Sequence, residues 1–559
     1  MSGNLSGFAL NSNDGGRYRW AGLLPLLFCF GIGTPGVEAQ DARMVPVIPA
    51  PASVEGLVGA LSITPALRVG EVAEAFRPVV ERETAKLSEA LGFELGQADS
   101  DGPRIVVRAD LSLPPEAYVL EVSEASLAID ASTEAGVFYA FQTLRQLVPA
   151  GLYEAGPAGS RPGAIPAVRI EDRPRFPYRG LHLDVGRHFF SVDFVKRYID
   201  TMARFKLNRF HWHLTEDQGW RIQIDGYPRL TEVGAWRAES PIEKRLNPYV
   251  GDGVRHGGFY TKDEIRDIVA FAAERFVTVI PEIEMPGHAT AALASYPWLG
   301  CTEEVLAVST TWGVHDTIFC PHEETFDFLT SVLDEVMALF PSEYIHIGGD
   351  EVPKRQWRES AAAQAVIRRE GLAGEDELQS WFIRRIERHL RANGRRLIGW
   401  DEILEGGLAP DATVMSWRGV EGGIEAARQG HDVVMTPIQH SYFDFYQGDP
   451  STEPLAMNWA GFPIPLRRVY EFEPVPPDLT EDQAPYVIGG QANLWTEYIA
   501  TPEYAEYMVY PRALALSEVV WSPAESRDWS GFVARMERAL ALLDALGVRY
   551  RPPHELDGR

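Results

Sequence analysis

The stretch LHLDVGRHFFSVDFVKRYIDTMARFKLNRFHWHL, residues 181–214, contains the first full unit of the pattern that decides the fold. Leu181–Val185 is a short apolar run, Phe194–Phe205 places apolar residues three and four apart, and Arg209–Leu214 is apolar again. That order predicts strand, helix, strand. A helical crossover between two strands makes them parallel. The rhythm continues down the chain. Strand-like runs recur at Val277–Ile283, Tyr344–Gly348, Arg396–Trp400, Val414–Trp417, Val433–Thr436 and Val487–Leu494. Helical patterns recur at Lys262–Arg275, Thr325–Phe340, Glu375–Asn393, Gly422–Gln429 and Glu503–Glu518. Eight strand-like runs in this order favour a closed (β/α)8 barrel. The alternative is an open doubly wound sheet, but no Gly-rich phosphate turn follows the first strand.

Upstream, Ile105–Val107 and Tyr118–Val122 read as strands, and Val79–Leu91 and Gly136–Leu147 as amphipathic helices, which predicts a small α+β domain. Gly156–Pro166 is rich in Gly, Pro, Ala and Ser and reads as a linker, ending near the charged turn Glu171-Asp172-Arg173-Pro174. Still further upstream, Arg17 and Arg19 precede the apolar run Ala21–Ile32, which leads to Val37-Glu38-Ala39. A basic flank, a short apolar stretch and a small-x-small end predict a secretory signal cleaved after Ala39. A membrane anchor requires about 20 apolar residues, and this run is shorter and holds Pro25. The expected organisation is therefore a signal peptide (1–39), an α+β domain (40–172) and a catalytic (β/α)8 barrel (173–559), in a secreted or periplasmic protein.

The 559 residues are 45% hydrophobic and 23% charged, the composition of a globular chain with a sizeable core. A net charge of −27 without a basic tract argues against a nucleic-acid partner, which would need a cationic footprint. No segment after the signal predicts a membrane span. Cys29 leaves with the signal, so Cys301 and Cys320 remain, as a disulfide or as two free thiols. The exported context favours the disulfide.

In such a barrel the active site lies at the C-terminal ends of the strands. The first run ends near Asp184, Arg187 and His188, and the second in His213-Leu214-Thr215-Glu216-Asp217. The third reaches Glu282, Glu284 and His288, and the fourth Asp350-Glu351. The fifth and sixth end at Trp400-Asp401-Glu402 and Trp417-Arg418. Tyr442 and Asp444 follow the seventh, and Trp495 and Glu497 the eighth. Carboxylates and tryptophans recurring at one rim are the composition of a sugar pocket. Aromatic faces stack on pyranose rings, and carboxylates and Arg hold hydroxyls by charge-assisted bonds. Trp212 and Trp381 sit mid-strand and mid-helix and read as core.

Tyr344-Ile345-His346-Ile347-Gly348-Gly349-Asp350-Glu351 resembles the Gly-Gly-Asp-Glu signature of glycoside hydrolase family 20, the β-N-acetylhexosaminidases. In the family's order stand Leu183–Phe190, His211–Trp220, Met285–His288, Gly399-Trp400, Ser416–Arg418, Tyr442–Asp444, Asn458–Gly461 and Leu494–Glu497. The domain before Arg173 also resembles the one that usually precedes this barrel. The resemblance implies an exo-acting retaining enzyme working through an oxazolinium intermediate. Glu351 becomes the acid and then the base, with a pKa expected to be raised by Asp350 and by tryptophan burial. Asp350 holds the acetamido N–H, and Tyr442 donates to the acetamido oxygen. Trp400, Trp417 and Trp495 box the acetyl group and ring. Arg187, Asp444 and Glu497 bind outer hydroxyls, with Glu216, His288 and Trp459 completing the substrate-binding set. His288 reads as a partner that orients a carboxylate, or as a structural histidine.

One position departs from the pattern: Glu216 stands where the family has its first aspartate after the second strand, and Asp217 follows it. His211-Trp212-His213 is an HxH that binds metal in amidohydrolase-type barrels, but there it belongs on the first strand with further ligands. No metal and no cofactor are expected. The expected partner is an oligosaccharide or glycoconjugate with terminal N-acetylhexosamine, drawn from chitin oligomers, peptidoglycan fragments or host glycans. Rival readings are lacto-N-biosidase-type release of a disaccharide, a two-carboxylate glycosidase, and a non-catalytic glycan-binding barrel.

Overall fold

The computed structural model describes residues 45–96, 102–149, 163–302 and 304–556. The expected secretory segment lies outside them. Six strands precede the barrel: β1 (Ser53–Ile63), β2 (Arg68–Val72), β3 (Arg104–Ala109), β4 (Tyr118–Val122), β5 (Ser126–Ala131) and β6 (Gly163–Asp172). They form one sheet in the order β1-β6-β4-β5-β3-β2. The helices α1 (Arg77–Leu91) and α2 (Glu134–Leu147) accompany it, and α2 is buried from Gly136 to Leu147.

The expected linker Gly156–Pro166 is corrected in part, because Gly163–Pro166 opens β6. Pro166 is tolerated in this inner strand because β4 pairs only with Val168–Asp172. At Pro166 the ladder runs to β1 alone, where Ala60 faces it, so one missing N–H breaks no two-sided pairing.

Eight parallel strands then close a barrel: β7 (Tyr178–Asp184), β8 (Arg209–His213), β9 (Thr278–Glu282), β10 (Tyr344–His346), β11 (Arg396–Trp400), β12 (Thr413–Ser416), β13 (Val433–Met435) and β14 (Val487–Ala492). β14 returns to pair with β7. The helices between them include α3 (Val192–Arg204), α4 (Lys262–Ala273), α5 (Glu323–Leu339), α6 (Glu375–Ala392) and α7 (Glu421–Arg428). The helix expected over Glu503–Glu518 is two: α8 (Pro502–Val509) and α9 (Arg512–Trp521). Pro511 explains the break, since its ring displaces the preceding turn and it has no N–H to give.

The two-residue period of β8 decides what enters the barrel. Phe210 and Trp212 face outward, where Trp212 packs on Tyr260 and Phe340. His211 and His213 face inward with His182 of β7, all three buried. Tyr178, Ile280, Ile398, Met415 and Val434 form a separate apolar cluster that includes Trp400. The barrel is thus filled with side chains, and its chemistry is confined to the rim.

Candidate active site

A cavity of about 370 Å³ opens at the C-terminal rim. Every site residue expected from the sequence lines it. Asp350, Glu351 and Tyr442 are joined there by Arg187, Glu216, His288, Trp400, Trp417, Asp444, Trp459, Trp495 and Glu497. Sequence reasoning missed Leu246, Trp312, Gly313, Val314, Met457 and Tyr498, which also line it.

The carboxylate pair is delivered by a sharp turn after β10. Gly348 and Gly349 have φ of 66° and 91°, and a Cβ on Gly348 would overlap the Glu284 carboxylate. Glu351 itself has φ 47°, as does His288. A left-handed non-glycine residue costs on the order of 1–3 kcal/mol, so the surrounding packing must impose it. The turn separates the environments of the two acids. The Asp350 side chain is 13% exposed and that of Glu351 40%. This corrects the expectation that tryptophan burial encloses Glu351, because the enclosed member is Asp350. Burial pushes Asp350 up to about 7, with His288 opposing and Glu351 reinforcing. Asp350 Oδ1 has no hydrogen-bond partner among the described residues.

His288 stands behind the pair, buried, with Nε2 3.6 Å from both Asp350 and Glu351. Its Nδ1 faces Glu216 Oε1 at 2.8 Å and Asp217 Oδ2 at 3.1 Å. Burial disfavours the imidazolium, yet Glu216 and Asp350 outweigh it and hold the His288 pKa well above the usual value. At the position that departs from the family pattern, Glu216 also lies 3.3 Å from Arg187 Nη2 and 3.1 Å from His213 Nε2. Its longer side chain reaches three cations at once. Burial alone would raise its pKa, but Arg187 and His288 hold it well below the carboxylate range.

The aromatic walls are fixed by carboxylates beneath them. Trp400 donates its indole N–H to Glu282 at 2.8 Å, and Trp417 donates to Glu402 at 2.9 Å. Burial, then Asp350 and Asp401, push Glu402 up to about 9. Trp417 and Tyr442 stack with centroids 6.0 Å apart, and Trp495 lies 5.7 Å from Trp400 and 6.5 Å from Tyr442.

The far end of the cavity is polar. Arg187 lies over Trp495, its Nε donating to Gln218 at 3.1 Å. Asp444 Oδ1 and Glu497 Oε2 are buried without partners among the described residues. Burial raises both carboxyls, and Glu497 adds to the rise at Asp444. The Asp444 loop is held from below by Arg512 of α9, which donates to the carbonyls of Phe443 and Phe445.

Both histidines of HxH face the Glu282 carboxylate. His213 Nδ1 bonds Glu282 Oε2, and His211 Nε2 lies 3.0 Å from the same oxygen. A disulfide joins Cys301 to Cys320 and closes the loop between β9 and α5, which carries Trp312, Gly313 and Val314 to the cavity wall.

Residues 176–524 match the family model described as Glycosyl hydrolase family 20, catalytic domain, and residues 44–173 the one described as Glycosyl hydrolase family 20, domain 2. A Beta-hexosaminidase of Porphyromonas gingivalis is 46% identical over 541 residues, which cover 95% of this chain and 67% of that one. A Beta-hexosaminidase of Vibrio furnissii is 38% identical over 489 residues, 86% of this chain and 77% of its own. The crystal structure of a GH20 exo beta-N-acetylglucosaminidase from Vibrio harveyi in complex with N-acetylglucosamine is similar with a TM-score of 0.81 at 36% identity, over 93% of this chain and 81% of that one. On the catalytic domain, the preceding domain and these relatives together, the chain belongs to glycosyl hydrolase family 20.

Proposed function

We propose that this glycoside hydrolase is an exo-acting, retaining β-N-acetylhexosaminidase that releases terminal β-linked GlcNAc or GalNAc, with the substrate's acetamide as nucleophile. The observation that carries the reading is the contrast between two adjacent acids. Asp350 is enclosed among Trp-lined walls with a free oxygen, while Glu351 stands at the open mouth.

Glu351 there protonates the departing glycosidic oxygen while the acetamido oxygen attacks C1, closing an oxazolinium ring. Asp350 accepts the acetamido N–H and faces the positive charge that develops on the ring. Tyr442 donates to the acetamido oxygen and holds it at attack distance beneath C1. Glu351 then takes a proton from water, which reopens the ring at C1. Two inversions retain the β configuration. Arg187, Asp444 and Glu497 grip the outer hydroxyls, and Glu216 and His288 support the acid from behind. The cavity is near the lower end of the roughly 300–1,000 Å³ of small-molecule sites, which suits one sugar rather than a released disaccharide.

The test compares two variants on two classes of substrate. Glu351→Gln should slow chitobiose far more than an aryl glycoside with a good leaving group, because a good leaving group departs without a proton and forgoes a contribution of about 10²–10⁴-fold. Asp350→Asn should slow both alike. Leaving-group dependence in the Asp350 variant instead would reverse the assignment, and hydrolysis of glycosides lacking the N-acetyl group would point to an enzyme nucleophile.

We also propose that the protein is exported, a reading supported by the Cys301–Cys320 disulfide. N-terminal sequencing of the mature protein should begin at Gln40, and a retained leader would contradict it.

A further inference from the structure

The HxH motif is not absorbed by the mechanism above, and neither of its histidines lines the cavity. Alternating groups run from the barrel interior to the acid–base pair. Glu282 of β9 bonds His213 Nδ1. His213 Nε2 lies 3.1 Å from Glu216 Oε2, and Glu216 Oε1 lies 2.8 Å from His288 Nδ1. His288 Nε2 reaches Asp350 and Glu351 at 3.6 Å. Glu282, His213, Glu216 and His288 are all buried. We propose that His213 is a positioning residue of the reaction, a buried cation clamped between Glu282 and Glu216 that holds the Glu216 carboxylate on His288 and so tunes the Asp350–Glu351 pair.

The surroundings of His213 favour its charge. Burial opposes the imidazolium, but Glu282, Glu216 and Asp184 raise its pKa to about 10. Glu284 lies 3.9 Å from Nδ1, but burial, reinforced by Asp350 and Glu282, holds its own carboxyl well above the usual range, so it adds little to the charge. From β7, His182 faces it as a ring 5.6 Å away whose pKa burial holds well below the usual value. His211 on its own strand is likewise lowered by burial, to about 4. Trp495 of the cavity wall packs edge-on against it at 5.0 Å. His288 in turn faces Glu216, Asp217, Asp350 and Glu351. Each link in the chain is therefore opposite in sign to its neighbour, and removing one cation leaves Glu216 shared by His288 and Arg187 only.

The inference rests on Asp350 and Glu351 being the reacting pair of the proposed function, and its test reads a different quantity from the leaving-group comparison. His213→Gln retains an amide donor towards Glu216 but loses the charge. Loss of a cation that reaches the pair through Glu216 and His288 should move both limbs of the pH profile of kcat/KM up by about half a unit. kcat on chitobiose should fall about tenfold or more, with KM changed less than twofold. His213→Asn, too short to reach Glu216, should lose more. Unmoved limbs in a folded His213→Gln overturn the inference, whatever its rate, because a space-filling histidine would change rate without changing titration. Should neither variant fold, ring ¹⁵N spectra of histidine-labelled native enzyme decide: the inference requires an imidazolium for His213 at pH 8, and a neutral ring overturns it. If the leaving-group test on Glu351 fails while the limbs still shift, the acid assignment falls and the positioning chain stands.

Discussion

Asp350 and Glu351 are neighbours on the chain and differ in nearly everything that decides their chemistry. Gly348 and Gly349 fold the backbone so that consecutive side chains leave in different directions, one inward and one towards the mouth. The burial that sequence reasoning expected on the acid falls instead on its neighbour, because burial is set by the turn and not by residue type. A pH dependence follows. Asp350 must be ionised to accept the acetamido N–H, and in the free enzyme it takes up its proton near pH 7. The ratio kcat/KM should therefore fall with unit slope as pH drops below about 7, and this limb should vanish in Asp350→Asn. The limb of kcat should lie lower, because bound substrate supplies the N–H and the developing cation that favour the ionised carboxyl. Rate profiles from pH 4 to 9 on native enzyme and variant check both; a limb that survives in Asp350→Asn belongs to another group. At this scale the sequence was informative wherever a residue follows a strand directly. Trp312 and Met457 escaped it because they arrive on long loops with no periodic signal to place them, and Leu246 because it ends the short strand Pro241–Leu246 of a hairpin inserted after β8. Tyr498, adjacent to Glu497, was within reach of the same reasoning.

Elements show the same division between periodic and aperiodic segments. The barrel strands were legible because buried parallel strands are continuous apolar runs alternating with amphipathic helices. β1 was not, since most of its residues are exposed and it carries two glycines. The stretch 304–322 between β9 and α5 carries Trp312, Gly313 and Val314 to the cavity wall outside any helix. Its backbone is pinned to the rim, with Ser309 N bonded to Asp217 O, Gln218 donating to Thr311 O, and Phe319 N bonded to Pro286 O. Arg237 lies over the Trp312 ring at 5.1 Å. The disulfide closes 19 residues of this loop, worth about 3 kcal/mol in the chain-entropy picture. Cys301→Ser with Cys320→Ser should lower the unfolding free energy by about that amount. It should also raise KM for chitooligosaccharides more than for small aryl glycosides, because Trp312 and Val314 are wall residues. Denaturant unfolding and kinetics on both substrates decide it. Equal KM values would show that the pinning hydrogen bonds suffice to hold the wall.

Across the whole molecule, the β-sheet domain and the barrel meet through charges that neither could bury alone. Lys206, after α3, is fully buried with its ammonium 2.8 Å from Asp172 of β6 and 2.9 Å from the Tyr118 hydroxyl of β4. Trp521 of α9 donates to the other Asp172 oxygen at 3.0 Å, and its ring lies 4.5 Å from the ammonium. Arg179 of β7, also buried, reaches Glu116 at 2.8 Å and the Tyr139 hydroxyl at 3.0 Å. Burial lowers the Lys206 pKa despite Asp172, so the charge is held there at a cost. Removing one member of such a pair leaves an uncompensated buried ion, typically a loss of about 3–5 kcal/mol, whereas removing both costs far less. Asp172→Asn and Lys206→Met should each lower Tm sharply, and the double variant should recover part of the loss. The domains should then unfold together: calorimetry of the native protein should show one transition, and residues 173–559 expressed alone should not yield a soluble, active barrel. The cavity is formed entirely by barrel residues, so any such failure would be one of folding and not of chemistry. An isolated barrel that folds and hydrolyses substrate, or single variants no less stable than the double, would show that the buried pairs are dispensable and that the preceding domain is an independent neighbour.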